Sequence, residues 1–502
     1  MKVLFFANTS LYPHHFGVLM DEAEIMLRDG HEVYFCYCNK AIRCCTPNYF
    51  GKKSNCDLCV WTTKNALRRL SKDIHILKNG DYIPTKTVRP YEFNTLDDIR
   101  AIEYKNVQIG YGVLSTYISM TRNNEPIFDD VFKKYINTLL LISAQQTDAC
   151  EAIIKEVNPD LVCLFNGRLF EQKPMHELAI SKGKQVRCYE VIGNTVEGHY
   201  KIQFENCNPL NIKGYTQKVE EYWADPEVSL EEKIKIGSSF YINRRNGIST
   251  GDKVYTKNQK TGALPEGWDS SKRNFAIFNS SEDEIASIGD EYAQMNYFNS
   301  QIEGIKHILF LAKDHEDIYF YLRIHPNLAG IHYSYHMDLY KLDKEFPNVS
   351  VIPADAKIST YDLMESAEKI IVFGSTMGLE STYWKKPVIN MSGADYALSN
   401  VAYMPKTEDE LKHTLFDTLI PKDNINAIKF GYLKMVRKKQ GHFQIVDYNW
   451  NWYSLFNKDY LFVNYQKIFG SKLLFVITQL FMGKVYSLLD SSKPLTIPTS
   501  GK

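Results

Sequence analysis

Apolar residues along this chain recur in two patterns, and the alternation of these patterns predicts the fold. Short apolar runs, such as residues 2–7 and 161–165, indicate strands, and apolar residues at helical spacing, as over 18–28, indicate helices. The strand, helix and strand over residues 2–37 form a βαβ unit, which predicts a parallel sheet. The same alternation resumes at Asn274, so a second α/β sheet is expected.

Breaks in this periodicity divide the 502 residues into four parts. Residues 1–215 are predicted to form an N-terminal Rossmann-like domain, and residues 271–425 a C-terminal one. Residues 216–270 are charged and then rich in Gly, Asn and Lys, which favours an irregular linker. Residues 426–502 are predicted to form a helical tail.

Composition and charge narrow the choice of partners and location. The 59 basic and 59 acidic residues cancel, so the net charge gives no reason to expect nucleic acid. Residues 1–7 enter a strand pattern without a cleavage site, so no signal peptide is predicted and a cytoplasmic location is expected. The apolar, Lys-flanked segment 473–489 has two interpretations: it lies peripherally on the inner membrane face, or it packs across the domains.

Polar residues follow two predicted strands of the C-terminal half. The strand 369–373 breaks at Gly374 and is followed by Ser375 and Thr376, whose hydroxyls and nearby backbone amides suit a phosphate. The strand 318–324 leads to His325. Ligands of open α/β sheets bind at the carboxyl ends of strands, so both segments are expected to point into one crevice.

Further polar residues are predicted to lie near this candidate phosphate-binding site. Arg323 lies beside His325 and adds a cation, while Ser280 and Ser281 follow the strand 274–278. Glu380 falls in the first turn of the helix predicted after Thr376. It is a candidate partner for a ribose hydroxyl, and the alternative is a favourable interaction with the helix dipole.

The N-terminal half also places polar residues after strands. Asn166 and Arg168 follow the strand 161–165, and Glu190 ends the strand 186–191. Asn166 and Arg168 are candidates for binding the acceptor, and Arg168 could hold an anionic group of it. Glu190 is a candidate catalytic base or a residue that orients an acceptor hydroxyl. A purely structural Arg168–Glu190 pair is the alternative.

Six of the ten cysteines lie within residues 36–59, which suggests a metal site. Cys56 and Cys59 form a Cys-x-x-Cys pair able to supply two thiolates to one zinc ion. Cys44 and Cys45 are the other predicted ligands of this structural zinc, with Cys36 or Cys38 as alternative members of the set.

Two groups of residues resemble a known family. Residues 27–33, after a strand and a Gly-bearing loop, are similar to the N-terminal half of glycosyltransferases of the GT-B fold. The Arg-x-His-Pro sequence at 323–326 and the Gly-Ser-Thr-x-Gly-x-Glu sequence at 374–380 resemble the donor half of bacterial capsule and lipopolysaccharide enzymes. The resemblance spans most of residues 1–420 and implies two Rossmann-like domains facing across a cleft.

The resemblance also implies an activity and partners. The expected reaction moves a sugar from a nucleotide-activated donor to a growing polysaccharide or glycolipid, with an oligosaccharide or lipid-linked acceptor. His325, Ser375 and Thr376 are implied to bind the donor phosphate. The polar segment 8–17 is predicted to be a loop, and in this family such a loop faces the acceptor, which makes His14 and His15 candidate catalytic residues.

Three other functions remain open. A hydrolysing nucleotide-sugar 2-epimerase shares the two-domain architecture, and the glycerophosphotransferases of teichoic acid synthesis share the C-terminal motifs. A non-catalytic scaffold of a polysaccharide-assembly complex is the alternative outside enzymes. Nucleotide released without an acceptor favours the epimerase, and failure to bind any nucleotide favours the scaffold.

Overall fold

The computed structural model describes residues 1–461 apart from a set of short stretches, namely residues 9, 43, 69, 85–88, 196–197, 251–254, 257–258, 286, 437, 440–442, 448–451 and 456–457. The chain divides into two compact units. Unit 1 comprises Met1–Arg122, Pro126–Pro209 and the strands from Lys438 onward. Unit 2 comprises Asn123–Glu125 and Leu210–Arg437.

The strands of the described chain form three sheets. Their bounds in chain order are β1 (Lys2–Ala7), β2 (Glu32–Tyr37), β3 (His75–Lys78), β4 (Leu161–Phe165), β5 (Gln185–Thr195), β6 (Gly198–Glu205), β7 (Arg273–Phe278), β8 (Ile318–Arg323), β9 (Val349–Ile352), β10 (Lys369–Val372), β11 (Val388–Asn390), β12 (Lys438–Lys439), β13 (Phe443–Asp447), β14 (Trp452–Leu455) and β15 (Lys458–Leu461).

Helices connect most of these strands. Their bounds are α1 (Pro13–Arg28), α2 (Lys53–Leu67), α3 (Leu96–Arg100), α4 (Ile109–Thr121), α5 (Asp130–Val157), α6 (Lys173–Ser181), α7 (Ile212–Trp223), α8 (Leu230–Arg245), α9 (Glu282–Ile285), α10 (Asp290–Ala293), α11 (Gln301–Leu311), α12 (Ser334–Met337), α13 (Leu342–Glu345), α14 (Thr360–Ser366), α15 (Met377–Tyr383), α16 (Glu408–Phe416) and α17 (Ile425–Met435).

Unit 1 contains a seven-stranded sheet in the order β12-β6-β5-β4-β1-β2-β3. The five strands from β5 to β3 pair in parallel, while β6 and β12 add antiparallel edges. Strand β1 is an unbroken apolar run because helices cover both faces of such a sheet. Phe5 and Phe35 stack within its core at a centroid distance of 6.1 Å, and Val18 and Leu19 of α1 are buried in the same cluster.

Unit 2 contains a five-stranded, wholly parallel sheet in the order β11-β10-β7-β8-β9. Apolar side chains of β7, β8 and β10 fill the cores on both faces of this sheet. The predicted α/β class with two Rossmann-like sheets is therefore confirmed.

The two units use the same order of parallel strands. In both, the first strand lies at the centre, the next two extend to one side, and the last two extend to the other. The strand order therefore reverses between β1 and β4 in unit 1, and between β7 and β10 in unit 2. Ligands of open α/β sheets bind outside the carboxyl ends of strands at such a reversal.

The structure differs from the sequence prediction in the segment 216–270. Helix α7 reaches into this segment and α8 lies within it, both as part of unit 2. Ser229 caps α8 by accepting a hydrogen bond from the backbone amide of Glu232. The Glu residues that suggested a linker are good helix formers and lie exposed on α7 and α8, while Lys218 and Lys233 of the same helices are buried.

The predicted tail begins with helix α17, which packs against α8 in unit 2. Its described continuation consists of β12 and of the small antiparallel sheet β13-β14-β15. Residues 473–489 lie outside the described residues. Within the part of the chain that the structure covers, no helix combines the length and the hydropathy needed to cross a membrane.

Candidate functional site

A pocket in unit 2 lies at the carboxyl ends of β7, β8 and β10, on the reversal of strand order. Its empty volume is about 590 Å³, its open mouth included. The pocket contains both segments that the sequence singled out. The lining residues are Arg244, Tyr255, Thr256, Gln259, Phe278, Asn279, Arg323, His325, Pro326, Thr360, Tyr361, Ser375, Thr376, Met377 and Glu380.

The turn after β10 depends on glycine. Gly374 has φ +73°, and a Cβ placed there would lie 2.5 Å from the backbone oxygen of Gly393. Its amide donates to Oδ1 of Asn390 at 3.0 Å. Only glycine fits this left-handed, crowded position without strain, so the turn is fixed by its sequence.

Ser375 and Thr376 follow this turn with different exposure. Ser375 is buried, and its Oγ accepts a hydrogen bond from the backbone amide of Met377 at 3.3 Å. Its backbone oxygen accepts from the hydroxyl of Tyr396 at 2.6 Å, which anchors the turn. Thr376 is exposed in the pocket wall. Because α15 has only seven residues, the hydroxyls carry more weight here than the helix dipole.

His325 is held by its own backbone and by its ring. Its amide donates to Oδ1 of Asn279 at 2.8 Å, and its Nδ1 accepts from the amide of Asn327 at 3.1 Å. A neutral imidazole that accepts at Nδ1 carries its proton on Nε2. The ring of Tyr255 meets that of His325 edge-on at 5.3 Å.

Arg323 lies in the pocket wall, but its guanidinium is directed at backbone oxygens. It donates to the carbonyl of Pro353, and at 3.0 Å to that of Ala356. Burial lowers the pKa of Arg323 to about 10, because a charged guanidinium is costly away from water. These bonds assign Arg323 a part in holding the wall, beside the predicted part in donor binding.

Glu380 is buried at the base of the pocket, and its carboxylate is paired. Arg244 of α8 reaches it through Nη2 at 3.1 Å and through Nε at 3.2 Å, and the Tyr361 hydroxyl donates to Oε2. The sequence prediction missed both partners. Arg244 fell in the segment assigned to a linker, and nothing in the sequence pairs it with a residue 136 positions away.

Ser280 and Ser281 do not line this pocket. The Ser280 hydroxyl donates to the backbone oxygen of Phe373 at 2.7 Å and accepts from Nε2 of Gln301 at 2.9 Å. Ser281 is buried, and its hydroxyl accepts from Nδ2 of Asn327 at 3.3 Å. Both serines hold together the loops that carry the pocket, while the preceding Asn279 is the lining residue. Its position directly after β7 was an available signal.

A second polar group lies in unit 1, just past the carboxyl end of β4 and around Glu190, which lies within β5 next to the residue that pairs with Phe165. Because β5 continues to Thr195, the predicted strand end at residue 191 is wrong. Glu190 accepts from Nδ2 of Asn166 at 2.7 Å and lies 3.7 Å from Nδ1 of His15. Desolvation raises the pKa of Glu190 to about 7, although Asn166, the Val191 amide and the charge of Arg168 oppose the shift. A carboxyl that titrates near neutrality suits proton transfer.

Asn166 and Arg168 take different positions around this carboxyl. Asn166 has φ +56° and its Oδ1 accepts from the amide of Arg168 at 3.1 Å, so it shapes the turn after β4. The Arg168 guanidinium donates to the hydroxyl of Ser115 at 2.6 Å and lies 3.4 Å from that of Ser119. The charge of Arg168 also lowers the pKa of Glu190, so the two side chains interact electrostatically while the guanidinium contacts both serines.

His14 and His15 lie in helix α1, and the prediction of a loop over residues 8–17 is wrong from Pro13 onward. Pro13 begins the helix because its fixed φ and missing amide suit the first helical position. His15 stacks on Phe165 at a centroid distance of 3.9 Å, which places it beside Glu190. The side chain of His14 lies outside the described residues.

The four cysteines predicted to bind zinc are not gathered as one set. In the described residues no three His, Cys, Asp or Glu side chains are positioned to share an ion. Cys44 donates to the backbone oxygen of Tyr49 at 3.3 Å, and burial raises its pKa to about 12. Cys45, Cys56 and Cys59 line a different, small cavity. The described residues therefore do not support the predicted zinc site of Cys44, Cys45, Cys56 and Cys59.

Comparison with known proteins relates the C-terminal half to a family. Residues 290–420 match the sequence model of the family described as capsule polysaccharide biosynthesis protein. His325, Ser375, Thr376 and Glu380 all lie in this segment. The resemblance seen in the sequence is confirmed there. A search of curated proteins finds no match.

Solved structures with remote similarity are also found. The β-Kdo 2,4-transferase KpsC of Thermosulfurimonas dismutans is 14% identical, with 54% of this chain and 78% of that chain covered and a TM-score of 0.32. A UDP-N-acetylglucosamine 2-epimerase of Neisseria meningitidis is 12% identical, with 87% and 100% covered and a TM-score of 0.26. At these TM-scores the similarity carries no argument about function.

Proposed function

We propose that the chain is a glycosyltransferase that moves a sugar from a nucleotide-activated donor to a growing surface polysaccharide or glycolipid. The observation that carries the proposal is the pocket of unit 2 at the reversal of strand order. It brings His325, Ser375 and Thr376 together inside the segment that matches the capsule polysaccharide family.

The pocket provides donors for the phosphate of a nucleotide. The proton on Nε2 of His325 and the exposed hydroxyl of Thr376 are the proposed contacts to its oxygens, with Ser375 and the Gly374 turn shaping the approach. Such donors stabilise the negative charge that grows on the leaving nucleotide as the sugar–phosphate bond breaks. The Glu380–Arg244 pair offers carboxylate and guanidinium edges for a ribose or base.

Glu190 is the proposed catalytic base. The acceptor hydroxyl loses its proton to this carboxylate as its oxygen forms the new bond to the sugar, and the nucleotide leaves with the electron pair of the old bond. Asn166 orients the carboxylate and His15 lies beside it. Arg168 is the proposed contact for an anionic group of the oligosaccharide or lipid-linked acceptor, and peripheral membrane association is part of the same proposal.

A thermal-shift screen of nucleotides tests the donor site. We expect one nucleoside mono- or diphosphate to raise the Tm of the wild type, and His325→Ala to remove most of that shift, since a charge-assisted hydrogen bond contributes about 1.5–3 kcal/mol. His413→Ala is the matched control, because His413 is exposed on α16 and does not line the pocket.

Three results contradict parts of the proposal. Equal increases in Tm for wild type and His325→Ala would show that His325 does not contribute to nucleotide binding. A protein that no nucleotide stabilises is better described as a scaffold. Steady release of free nucleotide from a nucleotide sugar, without any acceptor, identifies a hydrolysing epimerase instead.

A further inference from the structure

Basic residues are concentrated in residues 40–72 of unit 1. The whole chain balances 59 basic against 59 acidic side chains, yet this segment contains eight Lys or Arg residues and a single acidic one, Asp57. Asp57 is itself paired with Lys40. A surplus of positive charge that is confined to one segment of an otherwise neutral chain indicates a negatively charged partner at that surface.

Helix α2 turns one side to solvent, and this side carries cations around a tryptophan. At about 100° per residue, positions 53, 57, 61, 64 and 68 fall within an arc of about 80°. Lys53, Trp61, Lys64 and Arg68 are exposed there and form the outer face of α2, with Trp61 47% exposed. Arg68 directly follows the helix and keeps helical backbone angles. The opposite side of the helix is buried through Thr62, Thr63, Ala66 and Leu67.

The cations of the outer face are available to an external anion. Among the described residues, no carboxylate pairs with Lys53, Lys64 or Arg68. At the start of the helix, Nζ of Lys52 lies 5.6 Å from the ring centre of Phe50, which is 38% exposed. Exposed aromatic rings beside Lys and Arg are typical of surfaces at the boundary between water and lipid, where cations meet lipid phosphates and rings lie among the headgroups.

The loop that leads into α2 is tied to the part of unit 1 that carries the proposed acceptor residues. This loop leaves the carboxyl end of β2, and Asn166 and Arg168 follow the carboxyl end of β4, so both lie at one edge of the parallel sheet. The amide of Thr46 in the loop donates to Oε1 of Glu171 at 3.2 Å, three residues beyond Arg168. A surface that binds lipid through α2 therefore keeps this edge of the sheet near the lipid.

We propose that the outer face of α2 docks on a bilayer that contains anionic phospholipid. Lys53, Lys64 and Arg68 bind lipid phosphates, and the indole of Trp61 enters the headgroup layer beneath them. Phe50 and Lys52 add an aromatic ring and a cation at the start of the helix. Such a bilayer supplies both of the features that this face requires, namely negative charge and a partly apolar layer.

This inference extends the peripheral membrane association of the proposed function by naming the surface and the lipid charge. It rests on the proposed function in one respect, since a lipid-linked acceptor lies at such a bilayer. The binding of vesicles and the binding of nucleotide are separate measurements, so each of the two proposals can fail without the other.

Cosedimentation of the full chain with lipid vesicles tests the proposal. We expect the wild type to bind vesicles of phosphatidylglycerol and phosphatidylcholine but not of phosphatidylcholine alone, and to be released at high salt, which screens the charges. Lys53→Gln/Lys64→Gln should weaken binding about 25-fold, because each cation near an anionic surface contributes about fivefold. Lys235→Gln/Lys344→Gln is the matched control, since both lysines are exposed on helices of unit 2.

Trp61 reports whether the helix enters the lipid. Tryptophan emission of the wild type should shift to shorter wavelength on anionic vesicles, and Trp61→Ala should lack this shift although five other tryptophans remain. Trp61→Ala should also weaken vesicle binding about tenfold through its lost apolar area. Phe310→Ala, which removes a 54% exposed ring of α11, is the control and should bind as the wild type does.

Four results overturn the inference: no binding of the wild type to anionic vesicles, equal binding to both kinds of vesicle, equal weakening in the two double-lysine variants, or wild-type binding by both α2 variants. The last result would assign the membrane contact to another part of the chain, such as the segment 473–489. The nucleotide-induced rise in Tm should be unchanged in the α2 variants. A wild type that no nucleotide stabilises contradicts the proposed function alone, and the vesicle measurements still decide this inference.

Discussion

Units 1 and 2 share one order of parallel strands and each holds a candidate carboxylate, Glu190 within β5 and Glu380 in α15 after β10, yet these two carboxylates have opposite surroundings. In unit 2, Glu380 receives two nitrogen contacts from Arg244 and the hydroxyl of Tyr361. In unit 1, Glu190 accepts a hydrogen bond from the neutral amide of Asn166 and lies 3.7 Å from Nδ1 of His15, while the charge of Arg168 lowers its pKa.

This difference is the reason why we propose Glu380 as a binding residue and Glu190 as a proton acceptor. A buried carboxylate in contact with a guanidinium has its charge compensated, so it is suited to holding structure or ligand. A desolvated carboxyl with mainly neutral neighbours releases its proton only near neutral pH, which raises its basicity. In this proposal, whether an arginine directly contacts the carboxylate decides which chemistry each site supports.

Replacing Glu190 is expected to have the largest effect. Glu190→Gln keeps the shape and the bond to Asn166 but removes the base, so transferase activity should fall about 10²- to 10⁴-fold. Nucleotide-induced thermal stabilisation should be unchanged. Glu205→Gln, on the neighbouring strand β6, is the control and should retain activity. A Glu190→Gln enzyme with wild-type turnover rules out Glu190 as the base.

The buried pair of unit 2 gives the next largest effect. Arg244→Ala leaves the carboxylate of Glu380 buried without its guanidinium, which costs about 3–5 kcal/mol of unfolding free energy. The adjacent Arg245→Ala removes a pair with Glu365 whose side chains are 30% and 42% exposed, and should cost less than about 1 kcal/mol. Denaturant titration of both variants measures the loss of unfolding free energy. Equal losses would show that the Arg244–Glu380 pair stabilises the fold no more than an exposed pair does.

The smallest expected effect is on the pH dependence of stability, which tests whether Glu190 is desolvated in the way that separates it from Glu380. In the folded protein the pKa of Glu190 is raised from 4.5 to about 7, so the folded state binds the proton more tightly than the unfolded state. The free energy of unfolding should therefore fall as pH rises from about 4.5 to about 7, by up to about 3 kcal/mol.

Other groups titrate in the same range, so the measured quantity is the difference between wild type and Glu190→Gln. The variant should lack this loss of stability between pH 5 and pH 8. In the wild type, kcat/KM should rise through pH about 7 as Glu190 loses its proton. Parallel stability curves for the two proteins would show that Glu190 is not desolvated in solution.

Much of the fold was readable from local patterns. The strand 2–7 and the strand 161–165 were predicted with the bounds that the structure has, because a continuous apolar run between turn residues has few alternatives. Helix α8 was missed because its apolar face is weak and its charges resemble those of a linker. The helix start at Pro13 was missed although Pro at that position is a recognised signal.

The candidate sites also combine features that local sequence predicts with features that depend on tertiary contacts. The sequence by itself determined that Gly374, Ser375, Thr376 and His325 end strands, since glycine, hydroxyl and His-Pro signals are local. Only the tertiary structure decided that Arg244 reaches Glu380, that His15 lies beside Glu190, and that Cys38 rather than Cys44 lines the small cavity of unit 1. The physical reason is that burial, partner charge and distance depend on residues remote in the chain, and these set the pKa values and the ligand geometry.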